Sequence, residues 1–396
     1  MTRAYDQRVL IASCGAHLIQ DGLVALQYVL LPILAQIFGF NYTQVGFLRA
    51  LSNSAMTLLE IPAGVMAERF DEIRLLVFGL VCAGLGYLGV ALALDFYVIG
   101  IGFLVAGSGA AFQHSLSSAL ISKSFDDAGR RRSLGLYNAF GDLGKLAFTG
   151  VFSLAIGVGI AWNLIVMSLC LVTLGFAVLL LLLRLRPEHA STAVASADQV
   201  GDGSKWGIRN PRKFGGLCVT VFLDTLTQAV FLTFIAFLLL EKGAGEALAS
   251  FAVVLVLCGG MVGKFVCGYL AVRYGDRHAF RLLQLMTIAG LVLLVPLPVV
   301  AVLVLLPLVG IAVQGSTTVT YGALSDFIHR DRQARGYAII YTLSALSAVV
   351  GPVVFGWLAD LHGVGPALVV LAALTSLTLF TGRVLRKSVP LSAPGA

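Results

Sequence analysis

The sequence predicts an all-α integral membrane protein with twelve transmembrane helices in two pseudo-symmetric six-helix bundles. Three observations carry that expectation. The 396-residue chain is 58% hydrophobic and only 12% charged, with a mean hydropathy of +0.94, whereas a soluble domain is about a quarter charged. Its apolar residues come in long continuous runs. In lipid every backbone polar group must be satisfied within the segment, so runs near 20 residues are helices, and the lack of alternation excludes barrel strands. Third, similar segments recur about 200 residues apart, as set out below.

A window of about 19 residues yields spans at 9–38, 43–68, 74–93, 97–122, 133–157, 161–184, 214–240, 246–271, 279–296, 298–325, 336–359 and 364–382. The first run, from Val9 to Phe38, is about twice the length of a signal-peptide core and shows no small-residue cleavage site, so it reads as a retained helix. The cysteines Cys14, Cys82, Cys170, Cys218, Cys258 and Cys267 all fall in apolar runs with no CxxC pair, the pattern of small packing residues.

With the N-terminus placed inside, the cytoplasmic segments hold 23 of the 27 Lys and Arg. The excess of basic residues predicts both termini in the cytoplasm, and it accounts for the net charge of +7 without a nucleic-acid partner. The hydrophilic stretch from Arg184 to Lys213 is rich in Ser, Ala, Gly and Asp and reads as a flexible linker. The expected organisation is a six-helix bundle over 1–184, a cytoplasmic linker over 185–213, and a second bundle with a short cytoplasmic tail over 214–396.

The halves repeat. GVMAERFDEIRLL from Gly64 and GYLAVRYGDRHAF from Gly268 share Gly, Ala, Arg and an aromatic 204 residues apart, an offset that also sets Ala119 on Ala323 and Tyr137 on Tyr341. An offset of 203 sets Asp21 on Asp224. Duplicated halves around a central cavity are the architecture of alternating-access carriers.

With the Gly-x3-acid-Arg loop after helix 2, this pattern resembles the major facilitator superfamily over nearly the whole chain. The matching loop positions are Gly64, Glu68, Arg69 and Arg74, with Asp71 where a second Gly is expected. In the second half Gly268, Arg273, Gly275 and Arg277 match, while Val272 replaces the acid. The resemblance implies a cytoplasmic conformational latch, and Glu60 and Lys264, each four residues before the motif glycine, join it as gating candidates. Three segments are more narrowly similar to the fosmidomycin-resistance group of drug exporters: Ala16 to Asp21; Gly107-Ser108-Gly109 with His114 and Ser117-Ser118; and Gly141-Asp142-Leu143-Gly144. The chain departs from that pattern at Ser115-Leu116, where a Pro-Glu pair is expected. It departs again at Ala147-Phe148, where antiporters of the superfamily carry Gly-Pro.

Ionisable residues inside apolar spans mark function by default, because a bare charge at the bilayer centre costs on the order of 3 kcal/mol. His17 and Asp21 lie one turn apart on one helix face, which Tyr28 shares. Counted from Val9 at 1.5 Å per residue, Asp21 is roughly 18 Å deep, near the midplane. The candidate coupling and cavity residues are His17, Asp21, Tyr28, His114, Asn138, Asp142, Lys145, Asp224 and Gln314. Asp142 and Lys145, at i and i+3, equally suit mutual neutralisation, and His114 equally suits packing or proton relay. Arg49 is expected to snorkel toward the outer face.

The sequence holds neither a Walker loop nor a metal-spaced His/Cys cluster, so no ATP-driven, enzymatic or metal chemistry is expected, and no cofactor. The expectation is a secondary active transporter of a small organic solute, anionic or drug-like, working by proton-coupled export. It is placed as a monomer in a bacterial cytoplasmic membrane, with protons as coupling ion and the bilayer as its other partner. Two alternatives stay open: a proton-coupled uptake symporter for a small organic acid, and a non-transporting sensor or assembly factor on a carrier fold.

Overall fold

The computed structural model describes residues 2–67, 69–125, 127–183, 208–329 and 333–385. Glu68 and residues 185–207 of the predicted linker over 185–213 lie outside them, while its last residues, Pro211 to Lys213, already form the start of a helix. The described chain is helical: α1 (Thr2–Phe38), α2 (Tyr42–Met66), α3 (Glu72–Ala91), α4 (Phe96–Ala110), α5 (His114–Ser124), α6 (Asp127–Gly157), α7 (Trp162–Leu182), α8 (Pro211–Glu241), α9 (Glu246–Tyr274), α10 (Asp276–Leu294), α11 (Val299–Ala323), α12 (Gln333–His362), α13 (Val364–Ser376) and α14 (Thr378–Thr381). Each of the twelve predicted spans meets one of these helices, and ten of the described helices are long and apolar enough to cross a membrane. Large apolar side chains such as Leu154, Leu182 and Val304 face outward, as a lipid solvent permits.

Two predicted spans are interrupted. The run over 97–122 breaks into α4 and α5 where the N–H groups of Phe112 and Gln113 donate to Gly109 and Ala110 carbonyls at 3.2 and 3.1 Å. These three-residue closures tighten the chain into a 3₁₀-type turn. Hydropathy gives no sign of it, because the turn residues are themselves buried and largely apolar. The last span divides at Leu377 into α13 and α14.

The chain divides into two compact units, residues 1–40 with 47–203, and residues 41–46 with 204–396. In the first, α1 and α6 approach closely because both carry glycines at the contact. A Cβ on Gly144 would collide with the Leu18 carbonyl oxygen, and one on Gly22 would sit 2.5 Å from the Phe148 ring. Gly107 of α4 lies equally tight on the Ser52 backbone of α2, so that glycine serves helix packing.

The second unit has a core of Phe214, Leu217, Val221, Phe280 and Leu283 with Val319 and Leu324. It also takes in the start of α2. Asp360 of α12 accepts from the Tyr42 and Thr43 N–H groups at 2.7 and 2.9 Å and from the Thr43 hydroxyl, capping that helix. Glu241 accepts from the Tyr42 hydroxyl at 2.7 Å and from the Val364 N–H at 3.1 Å at the start of α13. Gly275, with φ +81°, makes the turn from α9 to α10, a left-handed conformation that suits glycine. The corresponding Asp71 of the first half has φ −60° and caps α3 by accepting from the Arg74 N–H at 2.9 Å, so no glycine is needed there.

Candidate functional site

Three helices of the first unit bring a charged cluster together. His17 and Asp21 stand one turn apart on α1, with His17 Nε2 3.3 Å from Asp21 Oδ2. The break after α4 puts His114 at the head of α5, with its Nε2 3.7 Å from Asp21 Oδ1. From α6, Lys145 Nζ reaches Asp21 Oδ2 at 3.1 Å and Asp142 Oδ1 at 3.2 Å. Gly141 leaves the room, for a Cβ there would lie 2.5 Å from the His17 ring and 2.9 Å from Asp21. Thus Asp142 and Lys145 do not simply neutralise each other: the ammonium is shared between two carboxylates.

His17 is the most constrained member. It is 4% exposed, and its ring stacks on Tyr137 with centroids 3.9 Å apart. Its Nδ1 lies 2.8 Å from the Tyr137 carbonyl oxygen, which can only accept, so Nδ1 carries a hydrogen. Nε2 is left to face Asp21.

The donor atoms of His17, Asp21 and His114 lie within 4.8 Å of one another, the spacing of a three-ligand metal site. Linear spacing could not reveal this, because two helices supply the residues. With the Lys145 ammonium already against Asp21, the arrangement is an ion-pair cluster whose cation belongs to the chain.

Other candidates fall elsewhere. Tyr28 does not join Asp21; its hydroxyl accepts from Arg49 Nη2 at 2.6 Å. Arg49 does not snorkel. It is 4% exposed and donates to Gln27 Oε1 at 2.6 Å and to the Val24 carbonyl at 3.1 Å, while lying over the Tyr28 ring. Those polar partners in the neighbouring helix outweigh the pull of the interface. Asn138 is exposed on α6, and Gln314 of α11 packs against Gly260 of α9.

In the second unit the repeat-related Asp224 is 2% exposed. It accepts from Gln284 Nε2 of α10 at 2.6 Å, and Ser316 Oγ of α11 lies 2.7 and 3.0 Å from its two oxygens. The two aspartates therefore occupy equivalent sequence positions in unlike surroundings.

Of the gating candidates, Glu60, Arg69 and Arg273 are exposed, and Arg273 donates to the Tyr269 hydroxyl at 2.9 Å. Gly64 and Gly268 are partly buried, and a Cβ on Gly64 would meet nothing within 4 Å. Lys264 is half-buried on α9. The reading from sequence missed the Lys123–Glu72 ion pair at 2.6 Å, although both residues were visible as charges at span ends. It also missed Gln284 and Ser316, whose only signal is a polar side chain in an apolar run.

Ten described helices long and apolar enough to cross a membrane, in two units that each carry a buried aspartate on the first helix, fit the architecture of a secondary transporter. A family model described as the Major Facilitator Superfamily matches residues 14–213 and 217–395, and the chain belongs to that family. It is 26% identical over 400 residues to the "Uncharacterized MFS-type transporter YfnC" of Bacillus subtilis (strain 168), covering 95% of this chain and 92% of that one. Among solved structures it is similar to a bacterial homologue of the human lysosomal transporter Spinster, with a TM-score of 0.78 at 14% identity, covering 98% of this chain and 99% of that one. It is also similar to the nucleoside transporter NupG, with a TM-score of 0.78 at 12% identity, covering 95% and 99%.

Proposed function

We propose that the chain is a proton-coupled exporter of small organic, anionic or drug-like solutes, working by alternating access in a bacterial cytoplasmic membrane as a monomer with both termini inside. The observation that carries proton coupling is the Asp21 cluster. One buried carboxylate faces Lys145 at 3.1 Å and the Nε2 atoms of His17 and His114 at 3.3 and 3.7 Å.

Such a cluster turns protonation into movement. With Nδ1 held by Tyr137, a proton gained at His17 Nε2 is donated to Asp21 and competes with Lys145 for the same carboxylate. Lys145 retains Asp142 as its second partner, so the ammonium swings without losing its counter-charge. A solute donor group that binds Asp21 or Asp142 competes with the proton, and competition of this kind is the condition for antiport. The resemblance of residues 16–21, 107–118 and 141–144 to fosmidomycin-resistance exporters supports the outward direction.

Lys145 favours one second reading. An anionic solute on its ammonium would bind together with the proton and not against it, which is the logic of an uptake symporter for a small organic acid. Inside-out vesicles with an acidic lumen and a trapped pH-sensitive dye separate the two, with fosmidomycin as the probe solute. Export predicts that adding fosmidomycin makes the lumen more alkaline, and symport predicts further acidification. No proton movement with any solute that is transported would overturn the coupling.

A further inference from the structure

We propose that the second half carries its own proton-binding site: Asp224, buried without a cation beside Gln284 and Ser316, is a neutral carboxylic acid in the conformation described. The inference goes beyond the coupling cluster of the first half and does not depend on the direction of transport.

The charge balance comes first. Asp21 faces an ammonium and two imidazoles, whereas among the described residues no Lys, Arg or His nitrogen pairs with Asp224. Of the elements packed on α8, α9 carries Glu246, Cys258, Lys264, Cys267, Tyr269, Arg273 and Tyr274, α11 carries Tyr321, α12 carries Tyr341, Asp360 and His362, and the turn over Gly382–Val384 carries Arg383 at some point along their lengths. Asp360 is at the far end, capping α2. The Tyr321 hydroxyl is hydrogen-bonded to Ser344 at 2.8 Å. A carboxylate buried in an apolar bundle without a cation takes a proton instead.

The hydrogen-bond count agrees. Ser316 has a single hydroxyl hydrogen, and its Oγ lies 3.0 Å from the Val313 carbonyl oxygen as well as near both carboxyl oxygens. As an acid, Asp224 donates to Ser316 Oγ, which lies 2.7 Å from Oδ1 and 3.0 Å from Oδ2, Ser316 donates to Val313, and Gln284 donates to Oδ1, so each pair of residues has one donor and one acceptor. Gln284 Oε1 is itself buried without a hydrogen-bond partner.

Infrared difference spectroscopy of the purified full-length carrier tests this without substrate or transport, so its failure leaves the export reading standing. The wild-type protein is expected to show a carboxylic-acid C=O band that shifts in heavy water. The band is lost in Asp224→Asn, retained in Asp21→Asn, and moved in frequency but not removed in Ser316→Ala. Should Asp224→Asn fail to fold, raising the pH of the wild-type sample must bleach the same Ser316-sensitive band. A band that survives Asp224→Asn overturns the proposal. So does a wild-type spectrum without one, or a band that emerges only when sodium is withdrawn, which would make the resident cation sodium.

Discussion

At the residue scale, Asp21 joins a property visible in the sequence to one that needs the fold. A charge in an apolar run of α1 stands out in any reading, but its partners come from α5 and α6, more than ninety residues away. Asp21→Asn is expected to lower transport driven by a pH gradient by about two orders of magnitude, the scale a positioned proton acceptor contributes. Counterflow of the same solute should persist, because exchange requires no net deprotonation. Undiminished proton flux per folded carrier would reduce Asp21 to a packing residue. His17→Ala should move the pH optimum of transport with a smaller loss of maximal rate, since it removes the imidazole nitrogen that lies 3.3 Å from the carboxylate. His17 and Asp21 were legible because charge contrasts with lipid-facing sequence. Gln284 and Ser316 were not, because neutral polar residues are common in membrane helices and gain meaning only beside a carboxylate.

At the element scale, glycines decide how near the helices come. Gly141→Ala places a methyl 2.5 Å from the His17 ring and 2.9 Å from Asp21. Overpacking of that kind costs about 1–3 kcal/mol. It should lower the melting temperature in detergent and disturb the pH profile together. Gly64→Ala meets open space and should leave the melting temperature unchanged. Slowed transport in Gly64→Leu or Arg69→Ala with unaltered solute binding would then mark the loop as a latch, and equal loss of binding would place those residues in the site. Asp360→Ala removes the cap of α2 and should cost about 1 kcal/mol, read as a fall of a few degrees in melting temperature. Helix existence and span were legible from hydropathy. The break between α4 and α5 was not, because it is a change in hydrogen-bond closure within a run that stays apolar.

At the scale of the whole molecule, the distribution of charge predicts an orientation. Because 23 of the 27 Lys and Arg fall in the segments assigned to the inside, a cysteine introduced by Ser204→Cys in a cysteine-free background should resist a membrane-impermeant maleimide in intact cells and react after lysis. Labelling from outside would invert the topology and with it the assignment of export.

The sequence by itself determined the solvent, the helical class, the number of spans and the duplication, because lipid imposes a length and a backbone rule on every run and the repeat preserves its spacing. It also determined which charges were too costly to be idle. The tertiary structure decided what each charge does. It drew Tyr28 and Arg49 into one network away from Asp21, and it shared Lys145 between two carboxylates. It gave two aspartates at repeat-equivalent positions opposite surroundings, one among cations and one among amide and hydroxyl. Periodicity places a side chain on a face of its own helix, but its charge state depends on what the neighbouring helices bring to that face, and only packing fixes that.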